Sequence, residues 1–172
     1  MSRNRYGRWI YVLCFSILDT CFAPLAGQAQ EKEGKPPVLT LDLAERFITA
    51  AKAKAQAEGW AMTFAVVDAA GNPVALARMD GERWLTAGVA QSKAFTSATL
   101  RRTSKEVADF AQTRPQLFSS LGNLAGRPLL LAGGGLPLIL KGELLGGVGA
   151  SGGTEEQDEA CARAGLTAIG GE

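Results

Sequence analysis

The stretch Gly146–Asp158, GGVGASGGTEEQD, constrains the fold more than any other part of this chain. An apolar run, Leu144–Val148, leads into glycines that can turn the backbone. Thr154 then opens a helix, with Gln157 as capping-box partner and Glu155 and Glu156 suited to the positive helix end. Strand, turn and helix are therefore expected in that order. Two catalytic patterns overlap on the segment. Gly147, Gly149 and Gly152 fit the dinucleotide fingerprint G-x-G-x-x-G, and Gly149, Ser151 and Gly153 fit the nucleophile elbow G-x-S-x-G.

Neither pattern has the companions it needs. A dinucleotide site requires a parallel βαβ unit and an acidic residue about twenty positions on, and no strand-like run follows the helix that starts at Thr154. A serine nucleophile requires a base, usually histidine, and the sequence contains 0 His. Lys93 is the one substitute to name, and nothing in the sequence places it beside Ser151. The plainer reading is a strand turning tightly into a helix, with amides at Gly152, Gly153 and Thr154 pointing outward. Such an end suits an anion, whereas Glu155, Glu156 and Asp158 oppose one.

The first residues read as a cleaved secretory signal. Arg3, Arg5 and Arg8 precede a short apolar stretch, Trp9–Leu18, and small residues at Gly27 and Ala29 suit a signal peptidase. Ten apolar residues are too few to span a bilayer, which takes about twenty, so no stable membrane insertion is expected after cleavage. The expected division is residues 1–29 as signal, 30–38 as flexible linker and 39–172 as one domain. Cleavage would remove Cys14, Cys21, Tyr6 and Tyr11, leaving Cys161 as a lone thiol without a disulfide partner. The expected location is periplasmic or secreted. The formal net charge of +1 comes with no basic run in the body of the chain, which argues against nucleic acid.

Thr40 is expected to cap a helix over Leu41–Glu58, which Gly59 ends. Ala61–Asp68 and Pro73–Met79 flank Ala70-Gly71-Asn72 and predict a β-hairpin. Thr86–Leu100 reads as a helix with a small-residue face of Ala87, Ala90, Ala94 and Ala98. Ser104 is expected to cap another helix through Gln112, punctuated by Pro115. Leu129–Ala132, Pro137–Lys141 and Glu143–Ala150 predict three further strands, the last two joined at Lys141-Gly142-Glu143. Five strands joined largely by hairpins predict an antiparallel sheet with helices packed on it, an α+β single domain.

Three groups of residues invite a binding role. Gly133-Gly134-Gly135 before Pro137 permits close backbone approach to a ligand or subunit. Arg78-Met79-Asp80 gathers two charges and a thioether at a strand end. Lys93 lies among small residues (Ser92, Ala94, Thr96, Ser97), where a buried ammonium needs a partner. One cysteine without histidine cannot build a soft metal site. Glu155, Glu156, Asp158 and Glu159 leave a hard-cation site open.

Taken in order, LTLDLA, FAVVDAAGNPVALARMDG, QSKAFTSA, GGGLPL, GELLGGVGASGG and TEEQDEACARAGL across Leu39–Ile169 resemble the GlcG/HbpS-like family, which includes the C-terminal domain of PduO. The resemblance implies a five-stranded antiparallel α+β domain, a homo-oligomer, and haem or a related tetrapyrrole as ligand. Its motif positions fall on Asp68, Arg78, Met79, Asp80, Lys93, Gly134, Gly135, Pro137, Ser151, Gln157 and Asp158. Haem iron is usually held by His, Cys, Met or Tyr, so beyond the signal only Cys161, Met62 and Met79 remain. Met79 is the best axial candidate, with Arg78 or Lys93 as partners for propionates. The expectation is an exported, oligomeric small-ligand-binding protein. One alternative is an enzyme or accessory protein acting on small organic acids, with Lys93 or Asp80 as acid–base group and Arg78 holding a carboxylate. Another is an assembly protein using the Ala87–Ala98 face as its subunit contact.

Overall fold

A computed structural model describes residues 37–171. The expected signal, its cleavage point after Ala29 and most of the linker lie outside the described residues.

Helix α1 (Leu41–Ala57) starts where expected, because the Thr40 side chain accepts the Leu43 N–H at 3.2 Å. Ala44, Phe47, Ile48, Ala51 and Ala55 make its buried stripe at helical spacing. Gly59 follows at φ +72°, in the left-handed region that lets the chain leave the helix. Strands β1 (Thr63–Asp68) and β2 (Pro73–Arg78) form the hairpin. Its turn is organised by Asp68, whose carboxylate accepts the N–H groups of Ala70 (2.9 Å) and Asn72 (2.8 Å).

Three helices follow: α2 (Leu85–Leu100), α3 (Ser104–Thr113) and α4 (Pro115–Ala125). Thr103, rather than Ser104, caps α3 through a reciprocal capping box with Glu106. Pro115 begins α4 instead of merely ending α3, since a proline in the first turn loses no hydrogen bond. Strands β3 (Gly135–Leu140) and β4 (Glu143–Ser151) meet at a two-residue turn with Lys141 at φ +53° and Gly142 at φ +77°, the pair of positive values a type I′ hairpin requires. Helix α5 (Glu155–Ala168) closes the domain with the expected Thr154–Gln157 capping box.

The sheet is antiparallel and has four strands in the order β2-β1-β4-β3. The five-stranded expectation is corrected at Leu129–Ala132, which pairs with no strand. Its polar groups are taken by helix side chains: Thr96 Oγ1 accepts the Leu130 N–H at 2.8 Å, and the Ser104 hydroxyl donates to the Ala132 carbonyl. Those two side chains, rather than a neighbouring strand, take up part of the run's backbone hydrogen bonding.

The pleat explains the opening motif. Val148 and Ala150 share the α1/α5 face of the sheet with Phe64 and Val66, and that core includes Phe47, Met62, Leu138 and Cys161. Gly147 and Gly149 alternate to the other face, opposite Val67 and Ala65, where Ala90, Ala94 and Ala98 of α2 pack. A Cβ at Gly149 would stand 2.1 Å from the Ala90 carbonyl oxygen, and one at Gly147 would stand 2.2 Å from that of Ala94. Helix α2 therefore rests on bare sheet backbone. The glycines recur every second residue because a strand has period two, and α2 needs them there. Of the alanine face expected as a subunit contact, Ala90, Ala94 and Ala98 are buried inside the domain and Ala87 is half-buried.

Candidate ligand site

Antiparallel register gathers most of the candidate residues at one end of the sheet. Thr63 at the start of β1 pairs with Arg78 at the end of β2 and with Ser151 at the end of β4. Beside them β3 begins, with Gly135 opposite Gly149 and the Gly134 carbonyl accepting the Ala150 N–H at 2.9 Å. The first turn of α5 lies at the same end. Motifs separated by up to eighty positions thus share one edge because the strands alternate in direction.

At its centre, Lys93 of α2 donates from Nζ to Asp158 Oδ2 of α5 at 2.6 Å. The side chains are 3% and 4% exposed, so this is a buried ion pair. It joins a helix on one face of the sheet to a helix on the other. Asp158 Oδ1 also accepts the Gly153 N–H at 3.0 Å. Burial pushes the Asp158 carboxyl above its ordinary range, and the Lys93 ammonium and the Gly153 amide pull it back only in part. Negative charge on Glu82, whose own side chain is 6% exposed, pushes the same way as burial.

The triple glycine forms the roof. Gly134, at φ +104°, has no room for a side chain: a Cβ would stand 2.6 Å from Asp158 Cβ and 3.2 Å from Lys93 Nζ. Gly133 donates its N–H to Glu155 Oε2 at 2.8 Å, and Gly135 donates to Ser104 Oγ at 2.8 Å. Glu155 and Ser104, neither expected at the site, hold this loop by its backbone. The sequence had given both a polar role at a helix start, Ser104 as a cap and Glu155 at the positive end, but not a hold on this loop.

The remaining candidates divide. Ser151 is buried on the α2 face in the row of Thr63, which bonds hydroxyl to hydroxyl with Thr86 at 2.8 Å. Gln157 is engaged in capping, its Oε1 accepting the Thr154 N–H at 2.9 Å. Pro137 lies in β3 opposite Gly147. Arg78 is exposed and donates to the Glu82 carbonyl at 3.0 Å. Met79 is half-buried against the α1/α5 core, and Asp80 is exposed. At this end of the sheet Arg78 and Asp80 are exposed, whereas Lys93 is buried. Among the described residues no group of three or more His, Cys, Asp or Glu side chains is placed to hold a metal ion.

Two concavities lie elsewhere, on either side of Phe95. One of about 360 Å³ is lined by Ala70, Phe95, Arg101 and Leu144, and one of about 190 Å³ by Gly88, Ser92, Phe95 and Arg127. None of the candidate ligand-binding residues Arg78, Met79, Asp80, Lys93, Gly134, Gly135, Pro137, Ser151 and Gln157 lines either. Among the described residues no helix is long and apolar enough to cross a membrane.

Comparison with known proteins agrees with this architecture. The chain is 36% identical over 128 residues to an uncharacterised 15.0 kDa protein of Citrobacter freundii encoded between dhaT and dhaS, covering 74% of this chain and 89% of the relative. The crystal structure of Klebsiella pneumoniae ORFY superposes with a TM-score of 0.71 at 30% identity, covering 80% of this chain and 94% of the other. A PduOC–haem complex also gives a TM-score of 0.71, at 27% identity, over 79% of this chain and 98% of the other. Residues 39–167 match the model of the HbpS-like family, described as haem-degrading protein HbpS-like. This chain is a member of the HbpS-like family.

Proposed function

We propose that this protein is an exported, oligomeric small-ligand-binding protein that takes haem or a related tetrapyrrole. The observation that carries the ligand is the PduOC–haem complex, which has the same fold over nearly all of its length. Export rests on the basic and apolar pattern before Ala29.

Among the described residues the donor set does not fit axial ligation of an iron. There is no histidine, and both tyrosines precede residue 37. Cys161 and Met62 are fully enclosed in the α1/α5 core, and burial pushes the Cys161 thiol up to about 11, which keeps it protonated at neutral pH. The Met79 side chain packs on that same core. Lys93 is committed to Asp158. The reading is therefore a macrocycle held by apolar contact and by its carboxylates, with Arg78 the exposed cation among the candidates.

Titration with hemin and with iron-free protoporphyrin IX tests this. Comparable affinity for both is expected, and Met79→Ala should leave hemin binding unchanged. No spectral change with either ligand at micromolar protein overturns the tetrapyrrole reading, and binding of hemin alone restores an iron ligand. The alternative, an enzyme or accessory protein for small organic acids, finds less support. It needs Lys93 or Asp80 to meet a carboxylate held by Arg78, and the ammonium of Lys93 is buried in its own ion pair.

A further inference from the structure

We propose that the concavity between α2 and the β1–β2 turn binds a small monocarboxylate with an apolar body, its carboxylate held by Arg101. The site stands independently of the tetrapyrrole reading. It lies at the other end of the sheet from the Lys93–Asp158 pair, where β1 ends and β4 begins. Its volume of about 360 Å³ is at the small end of ligand sites, which run from about 300 to 1,000 Å³. Phe95, Ala98, Ala125 and Leu144 supply apolar walls, while Thr99 and Arg101 supply a hydroxyl and a cation. Apolar walls with a few polar groups suit a small ligand that has one charged end.

The Phe95 wall is fixed before any ligand arrives. A Cβ at Gly71 would stand 2.3 Å from Phe95 Cδ2, so the hairpin backbone lies directly on the ring. Arg127 lies 5.5 Å from the ring centre and donates to the Gly71 carbonyl at 2.6 Å, which ties ring and turn together. Arg127 is thereby committed, whereas Arg101 is exposed and makes no ion pair among the described residues. Its backbone is also costly. Arg101 ends α2 in the left-handed region, at φ +53° and ψ +37°, where α4 ends on Gly126 at φ +65°. A side chain is strained there and glycine is not, so the position gives up stability to present a guanidinium at the rim. The neighbouring acids are turned elsewhere. Asp68 accepts the Ala70 and Asn72 N–H groups within its own turn, and Glu143 shares the strand face of Leu145, which belongs to the α1/α5 core. A guanidinium pairs with a carboxylate through two parallel hydrogen bonds, and the apolar walls favour an organic anion over bare phosphate.

Titration of the isotopically labelled full chain with benzoate, benzyl alcohol and inorganic phosphate, followed by amide NMR shifts, tests the site. Saturable shifts at Thr99, Arg101 and Ala125 are expected with benzoate, and much weaker binding of the other two probes. Arg101→Gly should weaken benzoate about tenfold or more, the loss of one charge-assisted hydrogen bond, and should raise Tm because glycine takes the left-handed conformation without strain. Should that variant fail to fold, Arg101→Gln is expected to weaken benzoate to the same extent. The proposal is overturned by benzoate giving no saturable shift at these residues, or by benzyl alcohol or phosphate binding as tightly as benzoate. Unchanged benzoate affinity in Arg101→Gly with a lowered Tm also overturns it, since the guanidinium would then serve only as counter-charge to the carbonyls that end α2.

Discussion

The two faces of the sheet are held by opposite means. On the α1/α5 face, Phe47, Phe64, Met62, Leu138 and Val148 interdigitate, and cohesion comes from the volume those side chains fill. On the α2 face, Ala90, Ala94 and Ala98 settle onto Gly147 and Gly149, and cohesion comes from how closely two backbones approach. The Lys93–Asp158 pair ties the two layers together past the end of the sheet. The contrast teaches that small residues can bind a helix to a sheet as specifically as large ones, but with the opposite sensitivity to mutation. One face suffers from loss of volume and the other from its gain.

The largest effects should separate the faces cleanly. Phe47→Ala is expected to cost about 3–5 kcal/mol by leaving a cavity, whereas Ala94→Gly should cost about 1 kcal/mol, the ordinary penalty for glycine in a helix. Urea unfolding checks both, and equal losses on the two faces would break the comparison. Lys93→Met should also cost about 3–5 kcal/mol, because it leaves a buried carboxylate without its ion partner. Its pH dependence carries a sign. The folded Asp158 carboxyl lies above its ordinary value of 3.8, so its favourable contribution is fullest below that value and is lost as pH rises through the folded value. Removing the ammonium raises the folded value further. The deficit of Lys93→Met against the unmodified protein should therefore be smallest in acid and widen toward neutral pH. Paired unfolding series measure this, and a deficit independent of pH would remove the charge argument.

Gly149→Ala comes next, at about 1–3 kcal/mol from overpacking, since α2 must lift to admit the methyl group. The same change at the exposed Gly81 has open space but a backbone at φ +81°, so its smaller loss should come from strain. Least in free energy is the Cys161 thiol. With its titration pushed up to about 11 and no solvent exposure, alkylation at mildly alkaline pH should proceed only as fast as the protein opens. Rapid labelling of the native state would show the α1/α5 core to be looser than its packing implies.

Much of this architecture could be read along the chain. The helix starting after Thr40, the hairpin around Ala70-Gly71-Asn72 and the capping box at Thr154 follow local rules of hydrogen bonding and backbone freedom, and all three occur where expected. The miscounted strand at Leu129–Ala132 failed because its pattern is apolar and β-like, while its hydrogen-bond partners, Thr96 and Ser104, lie far away in sequence. The candidate site was legible in parts. Lys93 among small residues suggested burial, and the triple glycine suggested close approach. That the two meet, and that Ser104 and Glu155 hold the roof, depended on strand register that no local pattern carries.

Residue order alone determined most of the elements of this protein and argued against its apparent catalytic motifs: without histidine and without a parallel βαβ unit, neither the serine nor the glycines of Gly146–Asp158 had the companions they need. It also placed the small residues two apart, as a pleated strand demands. Tertiary structure decided what that spacing is for. Only when α2 lies across β4 do Gly147 and Gly149 become the seat of a helix, and only then does Lys93 reach Asp158. The reason is physical: periodicity and capping act within a few residues, whereas burial and ion pairing depend on which distant segments the fold brings into contact.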